Sequence, residues 1–217
     1  MTKTFMNLWI YLYPLPALCF FYTHWSKLEG SNFALFLIFA PVLYGYIMPG
    51  IAVNVLKKWK FNTKFRLGDY YAHHGFKISA NINTSFFLTS YAVSLNNLSL
   101  AQKVTLVIST ACVQGFIIWW HDTILIKLGK LELKNVLVND RMSPEEKAYA
   151  YAPVSFSIMG ASFATSALFA LEYLTEHAQV SSLELILVVV AGFVGISLPA
   201  TIAFGALESI ARRKPKV

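Results

Sequence analysis

Residues 183–207 read LELILVVVAGFVGISLPATIAFGAL, a long run whose single charge is Glu184. A bilayer core of roughly 30 Å is crossed by about 20 apolar helical residues, whereas a barrel strand reads as about ten residues of alternating polarity. This run does not alternate. Because a backbone in lipid must pair its amides within its own segment, the stretch is a transmembrane helix. Similar runs elsewhere place spans at about 6–23, 33–55, 80–97, 104–126, 152–171 and 183–207. The expected fold is therefore an all-α integral membrane protein, a polytopic bundle of about six transmembrane helices forming a single domain over residues 1–217.

The composition agrees. Hydrophobic residues make up 56% of the chain and charged residues 13%, about half the share typical of soluble domains. The third segment, NINTSFFLTSYAVSLNN at 81–97, is too polar to face lipid and is expected inside the bundle, extending back toward Asp69. Near the start, LWIYLYPLPALCFFY has the look of a signal peptide, but no small-x-small cleavage site follows in THWSKLEG, so a retained first span is expected. Cys19 and Cys112 both lie in apolar runs, which argues against a structural disulfide.

Orientation follows from the basic residues. Lys3 precedes the first span, six basic residues from Lys57 to Lys77 follow the second, five from Lys127 to Lys147 follow the fourth, and Arg212, Arg213, Lys214 and Lys216 end the chain. Only Lys27 and Lys103 fall on the other side. The positive-inside rule then puts both termini in the cytoplasm, N-in/C-in, in a plasma (inner) membrane. The same distribution accounts for the net charge of +7 through anionic headgroups, so the bilayer and not nucleic acid is the expected partner.

Several local features refine this picture. Ser143-Pro-Glu-Glu146 has capping-box spacing with proline at the first helical position, so a helix is expected from Pro144. Tyr149 and Tyr151 would then reach the interfacial belt, with a kink at Pro153. Lys57, Lys58 and Lys60 around Trp59 read as a snorkelling interfacial segment. Gly160, Ala161, Ala164 and Ala167 on the fifth span, and Gly192, Gly195 and Gly205 on the sixth, permit close helix approach, chiefly within the molecule and otherwise in a homo-oligomer.

Ionisable groups at membrane depth mark functional sites. Asp69, His73 and His74 lie before the third segment, and His121 and Asp122 close the fourth span. If residues 69–85 are helical, Asp69 and His73 share a face that Lys77, Asn81 and Thr84 continue into the bilayer. Thr110, Gln114 and His121 form a matching stripe, predicting a polar cleft between spans three and four that opens to the cytoplasm.

Imidazoles with carboxylates suit zinc, iron or manganese, so Asp69, His73, His74, His121 and Asp122 are the candidate metal ligands, with Glu145 or Glu146 as general base. The leading reading is a metal-dependent enzyme acting on a lipid or isoprenoid. Haem, with His24 and His177 as an outer pair, is a weaker match because those histidines read as loop residues. A second reading is a small-solute or ion transporter along Lys77, Asn81, Thr84, Thr110 and Gln114. The third is an oligomeric or partner-binding subunit without catalysis. Solvated interfacial side chains would also account for the cluster, since no HExxH, Gly-x-Ser-x-Gly or phosphate-binding Gly-rich motif is present.

Overall fold

The computed structural model describes residues 3–177 and 179–213; Lys214 and Lys216 of the terminal basic cluster lie outside the described residues. Among the described residues the chain is 76% helical with four short strands, and four helical segments are long and apolar enough to cross a membrane: Ser31–Val55, Leu100–Lys127, Pro144–Glu176 and Ser182–Arg213. A bent pair, α1 (Lys3–Tyr11) and α2 (Pro14–Leu28), raises that to five if the two form one broken span. The bend is 48° and has a local cause. Pro14 has no N–H to give the Ile10 carbonyl, so the helical ladder fails there. That carbonyl instead receives a bond of 2.7 Å from His73 Nε2.

Helix α3 (Ser31–Gly50) continues into a π-helical turn, Ile51–Val55, just after Pro49. Pro41 repeats the device at Pro14, since it leaves the Leu37 carbonyl without its helical donor. Asn83 Nδ2 fills the gap at 2.8 Å, and Ser79 Oγ donates to the neighbouring Ile38 carbonyl at 2.8 Å. Both donors sit on α4 (His74–Ser90), the third hydrophobic segment, which extends back from residue 80 but stops short of Asp69, ends before 97, and is buried at twelve of its 17 positions. At 17 residues it is not among the helices long and apolar enough to span by themselves. It packs against α2, α3, α5 (Leu100–Lys127) and α7 (Ala152–Glu176).

The stripe from Asp69 to His73 does not form. Gly68 adopts φ +63°, turning the chain into a hairpin of β2 (Arg66–Leu67) and β3 (Tyr70–Tyr71), and the Asn54 side chain accepts from the Asp69 amide at 3.0 Å. Trp59 and Lys60, part of the segment expected to snorkel, lie instead in a strand with Phe61. This strand, β1 (Trp59–Phe61), pairs antiparallel with β4 (Leu131–Leu133). Phe61 and Leu131 turn inward while Lys60 meets Glu132 at 2.8 Å on the outer side, the alternation of a half-buried ribbon. With Met6, Ile10, Val53, Tyr71 and Leu125 these residues make a second apolar core beneath the helices.

The capping box at Ser143 starts α6 (Pro144–Tyr149) as expected from its spacing, with Glu146 Oε2 accepting from the Ser143 amide at 2.7 Å. The last helix is α8 (Ser182–Arg213). It packs on α3 and α7 and turns Ile186, Leu187, Val190, Val194, Leu198 and Ile202 outward, as a lipid-facing helix does.

Candidate functional site

A cavity of about 300 Å³ lies between the C-terminal parts of α3, α5 and α8 and the N-terminal parts of α4 and α7, floored by the β1–β4 ribbon. Most of its wall is apolar, including Tyr44, Met48, Ile51, Ile118, Phe156 and Phe204. One side is polar: His74, Lys77 and Asn81 recur along one face of α4, His121 and Asp122 close α5, and Tyr151 and Ser155 come from the start of α7.

The hydrogen bonds within this group have a direction. The Nδ1 of His121 lies 2.8 Å from Asp122 Oδ1, and the Tyr151 hydroxyl donates to Asp122 Oδ2 at 2.6 Å. Asp122 thus has both oxygens engaged. With Nδ1–H donated to the carboxylate, the remaining His121 nitrogen, Nε2, carries a lone pair and has no partner among the described residues. His74 Nδ1, both amide atoms of Asn81 and the Ser155 hydroxyl are also buried and unpartnered. Buried polar groups in folded proteins nearly always have partners, so these side chains are available to bond a guest in the cavity.

Lys77 is 2% exposed. Its ammonium stands 5.4 Å and 5.1 Å from the ring centres of Phe61 and Tyr71, and it makes no hydrogen bond or ion pair among the described residues. At the edge of the cavity, Lys58 Nζ bonds both carboxylate oxygens of Glu208 on α8, at 2.6 and 2.7 Å. Lys58 therefore points inward to a partner and does not snorkel. Ile51 and Leu56 line the cavity and are also 43% and 56% exposed, which gives it an apolar side opening between the π-helical turn and α8.

Of the five expected metal ligands, only His74, His121 and Asp122 reach this cavity. Asp69 lies on the hairpin, 3.5 Å from Lys57 and 4.0 Å from Arg66. His73 is spent on the Ile10 carbonyl; burial holds its pKa below the usual imidazole value, opposed by that bond and reinforced by nearby Lys77. No three His, Cys, Asp or Glu side chains gather with metal-binding spacing among the described residues, so the metal set does not fit. Glu145 pairs with Lys127 at 3.2 Å and Glu146 is occupied in the capping box; neither lines the cavity.

Away from the cavity, Thr110 and Gln114 of the expected α5 stripe meet α4 through residues outside the expected α4 stripe. Ser85 Oγ donates to Gln114 Oε1 at 2.6 Å and Thr89 pairs with Thr110 at 2.8 Å, while Thr84 joins Tyr13. Of the candidate path residues, only Lys77 and Asn81 face the cavity. Tyr151 and Ser155 were missed by sequence reasoning. Their signal lay in register, because a helix begun at Ser143 and broken near Pro153 turns Tyr151 inward, whereas neighbouring Tyr149 stays 70% exposed. No family model, curated protein or solved structure matches the chain.

Proposed function

We propose that the protein is a membrane-embedded enzyme that performs acid–base chemistry on an amphipathic lipid or isoprenoid entering from the cytoplasmic leaflet. The observation that carries this reading is His121, which lines a largely apolar cavity with its Nδ1 held by Asp122 and its buried Nε2 without a partner among the described residues. A positioned imidazole of this kind accepts a proton from a substrate hydroxyl, a carbon acid or a water. Asp122 fixes the tautomer and stabilises the imidazolium that results, and Tyr151 orients the carboxylate in turn. Every proton-handling group in this scheme belongs to the protein.

The topology supports such an approach of substrate. Six crossings with both ends cytoplasmic would place α4 together with residues 91–97 as the short interior crossing. The β1–β4 pairing, the Lys58–Glu208 ion pair and a 2.6 Å bond from Lys130 to Asn7 bring the basic loops and the inner ends of α1 and α8 to one end of the bundle. At the other end Lys103 meets Glu172 and Asn96 meets Glu29. The positive-inside rule makes the first end cytoplasmic. The hydrogen-bonded Ser85–Gln114 and Thr89–Thr110 layers above the cavity favour a closed cleft over a transport path.

The test uses purified protein in nanodiscs containing lipids extracted from its own membrane, followed by mass spectrometry of the lipids. One lipid class should be consumed. His121→Gln should slow that consumption by about 10²- to 10⁴-fold while leaving thermal unfolding in place. No consumption by the wild-type protein, or equal consumption by the variant, overturns the reading.

A further inference from the structure

We infer that the ligand of the cavity carries an anionic head, a carboxylate or a phosphate monoester on an apolar chain, and that Lys77 is its counter-ion. This rests on the reading that the cavity takes an amphiphile, and it names the class. The argument is one of supply. Lys77 Nζ offers three N–H donors and makes no hydrogen bond among the described residues, and the buried, unpartnered Asn81 Nδ2 and Ser155 hydroxyl offer more; all three residues line the cavity. The acceptors do not match them. Asp122, the carboxylate of α5, already accepts from His121 and Tyr151 on both oxygens; the acceptors without a partner are Asn81 Oδ1, His121 Nε2 and, in one tautomer, His74 Nδ1.

Beyond the attraction of Asp122, which is shared with His121 and Tyr151, the Lys77 ammonium has only the faces of Phe61 and Tyr71, and a buried cation with no hydrogen-bonded partner of its own is costly. An entering anion would satisfy the donors and the charge together. Its apolar remainder would lie along Met48, Ile51 and Phe204 toward the side opening at Leu56. This orientation sets the head beside His121 Nε2, so the same anchor would present the head-proximal atoms to the proposed base.

The experiment is equilibrium binding by native mass spectrometry and thermal shift, on the full chain in phosphatidylcholine nanodiscs. The probes are laurate, dodecyl phosphate, dodecanol and inorganic phosphate. Laurate or dodecyl phosphate should bind about 10- to 100-fold more tightly than dodecanol, the range expected for a charge-assisted contact. Lys77→Met should erase that preference and Lys77→Arg keep it. Lys64→Met, which removes an exposed cation outside the cavity, should leave it unchanged.

Equal binding of dodecanol, or a preference that survives Lys77→Met, overturns the anionic head while leaving an amphiphile site intact. Inorganic phosphate binding as tightly as dodecyl phosphate overturns the lipid class. Failure of every probe overturns the inference and the cavity reading together. Because these are binding equilibria, they separate from the turnover test on His121.

Discussion

Asn81 and Asn83 stand two positions apart on α4, both 1% exposed or less, and they have opposite roles. Asn83 Nδ2 donates to the Leu37 carbonyl freed by Pro41 and also to Ser79 O at 2.9 Å, leaving only its Oδ1 without a partner among the described residues. Asn81 has neither amide atom paired and looks into the cavity. Composition cannot separate them, because either amide is compatible with interhelical bonding. The distinction depends on which face of α4 meets the proline-bearing stretch of α3, and the spacing of an isolated helix does not contain that information. Asn83→Ala should destabilise the protein by about 1–3 kcal/mol, since it leaves a buried carbonyl without its donor. Asn81→Leu should be neutral or stabilising, since it removes two unsatisfied groups, yet it should weaken ligand binding. Chemical unfolding of both variants in one detergent, beside the nanodisc binding assay, checks the crossed pattern.

Among the elements, the long apolar helices were legible because a run such as 183–207 admits no other reading in lipid. The polar, interior character of α4 was legible too. The β1–β4 ribbon was not. Its strands are three residues each, too short for a period-2 signal, and its partners are about 70 positions apart in the chain. The α4 start was misplaced for a related reason: a left-handed Gly68 makes a hairpin where helical continuation had been assumed. Gly160, Gly192 and Gly195 are sites of close approach as their spacing suggests and Gly205 is not, because which small residues matter depends on helix rotation. A Cβ on Gly160 would stand 2.8 Å from Gln114 Cβ and 3.0 Å from the Thr110 carbonyl, so α5 and α7 touch there through backbone. A Cβ on Gly205 meets nothing within 4 Å. Gly160→Val should therefore push α5 from α7 and destabilise by about 1–3 kcal/mol. Gly205→Val should leave the unfolding midpoint unchanged while narrowing the cavity, and thermal unfolding of the pair reads the difference.

Across the whole molecule, the basic segments distant in sequence are also a structural layer. The sequence showed them as a charge asymmetry, and the fold adds that they are bonded to one another and to the helix ends. Lys58 and Glu208 join the second basic segment to the end of α8 across 150 positions, at the cavity edge, with side chains 19% and 12% exposed. A pair so nearly buried carries weight through the cost of breaking it, because one charge left alone keeps its desolvation penalty without its partner. Glu208→Gln and Lys58→Met should each destabilise by about 1.5–3 kcal/mol, and the double variant by less than their sum. An exchanged pair, Lys58→Glu with Glu208→Lys, should recover much of the loss, because the bonding geometry survives reversal. Recovery in unfolding experiments would establish that this end of the bundle closes as one unit around the cavity. Strictly additive losses would mean the two charges do not meet in the folded protein, and the side opening they border would then lack one of its walls.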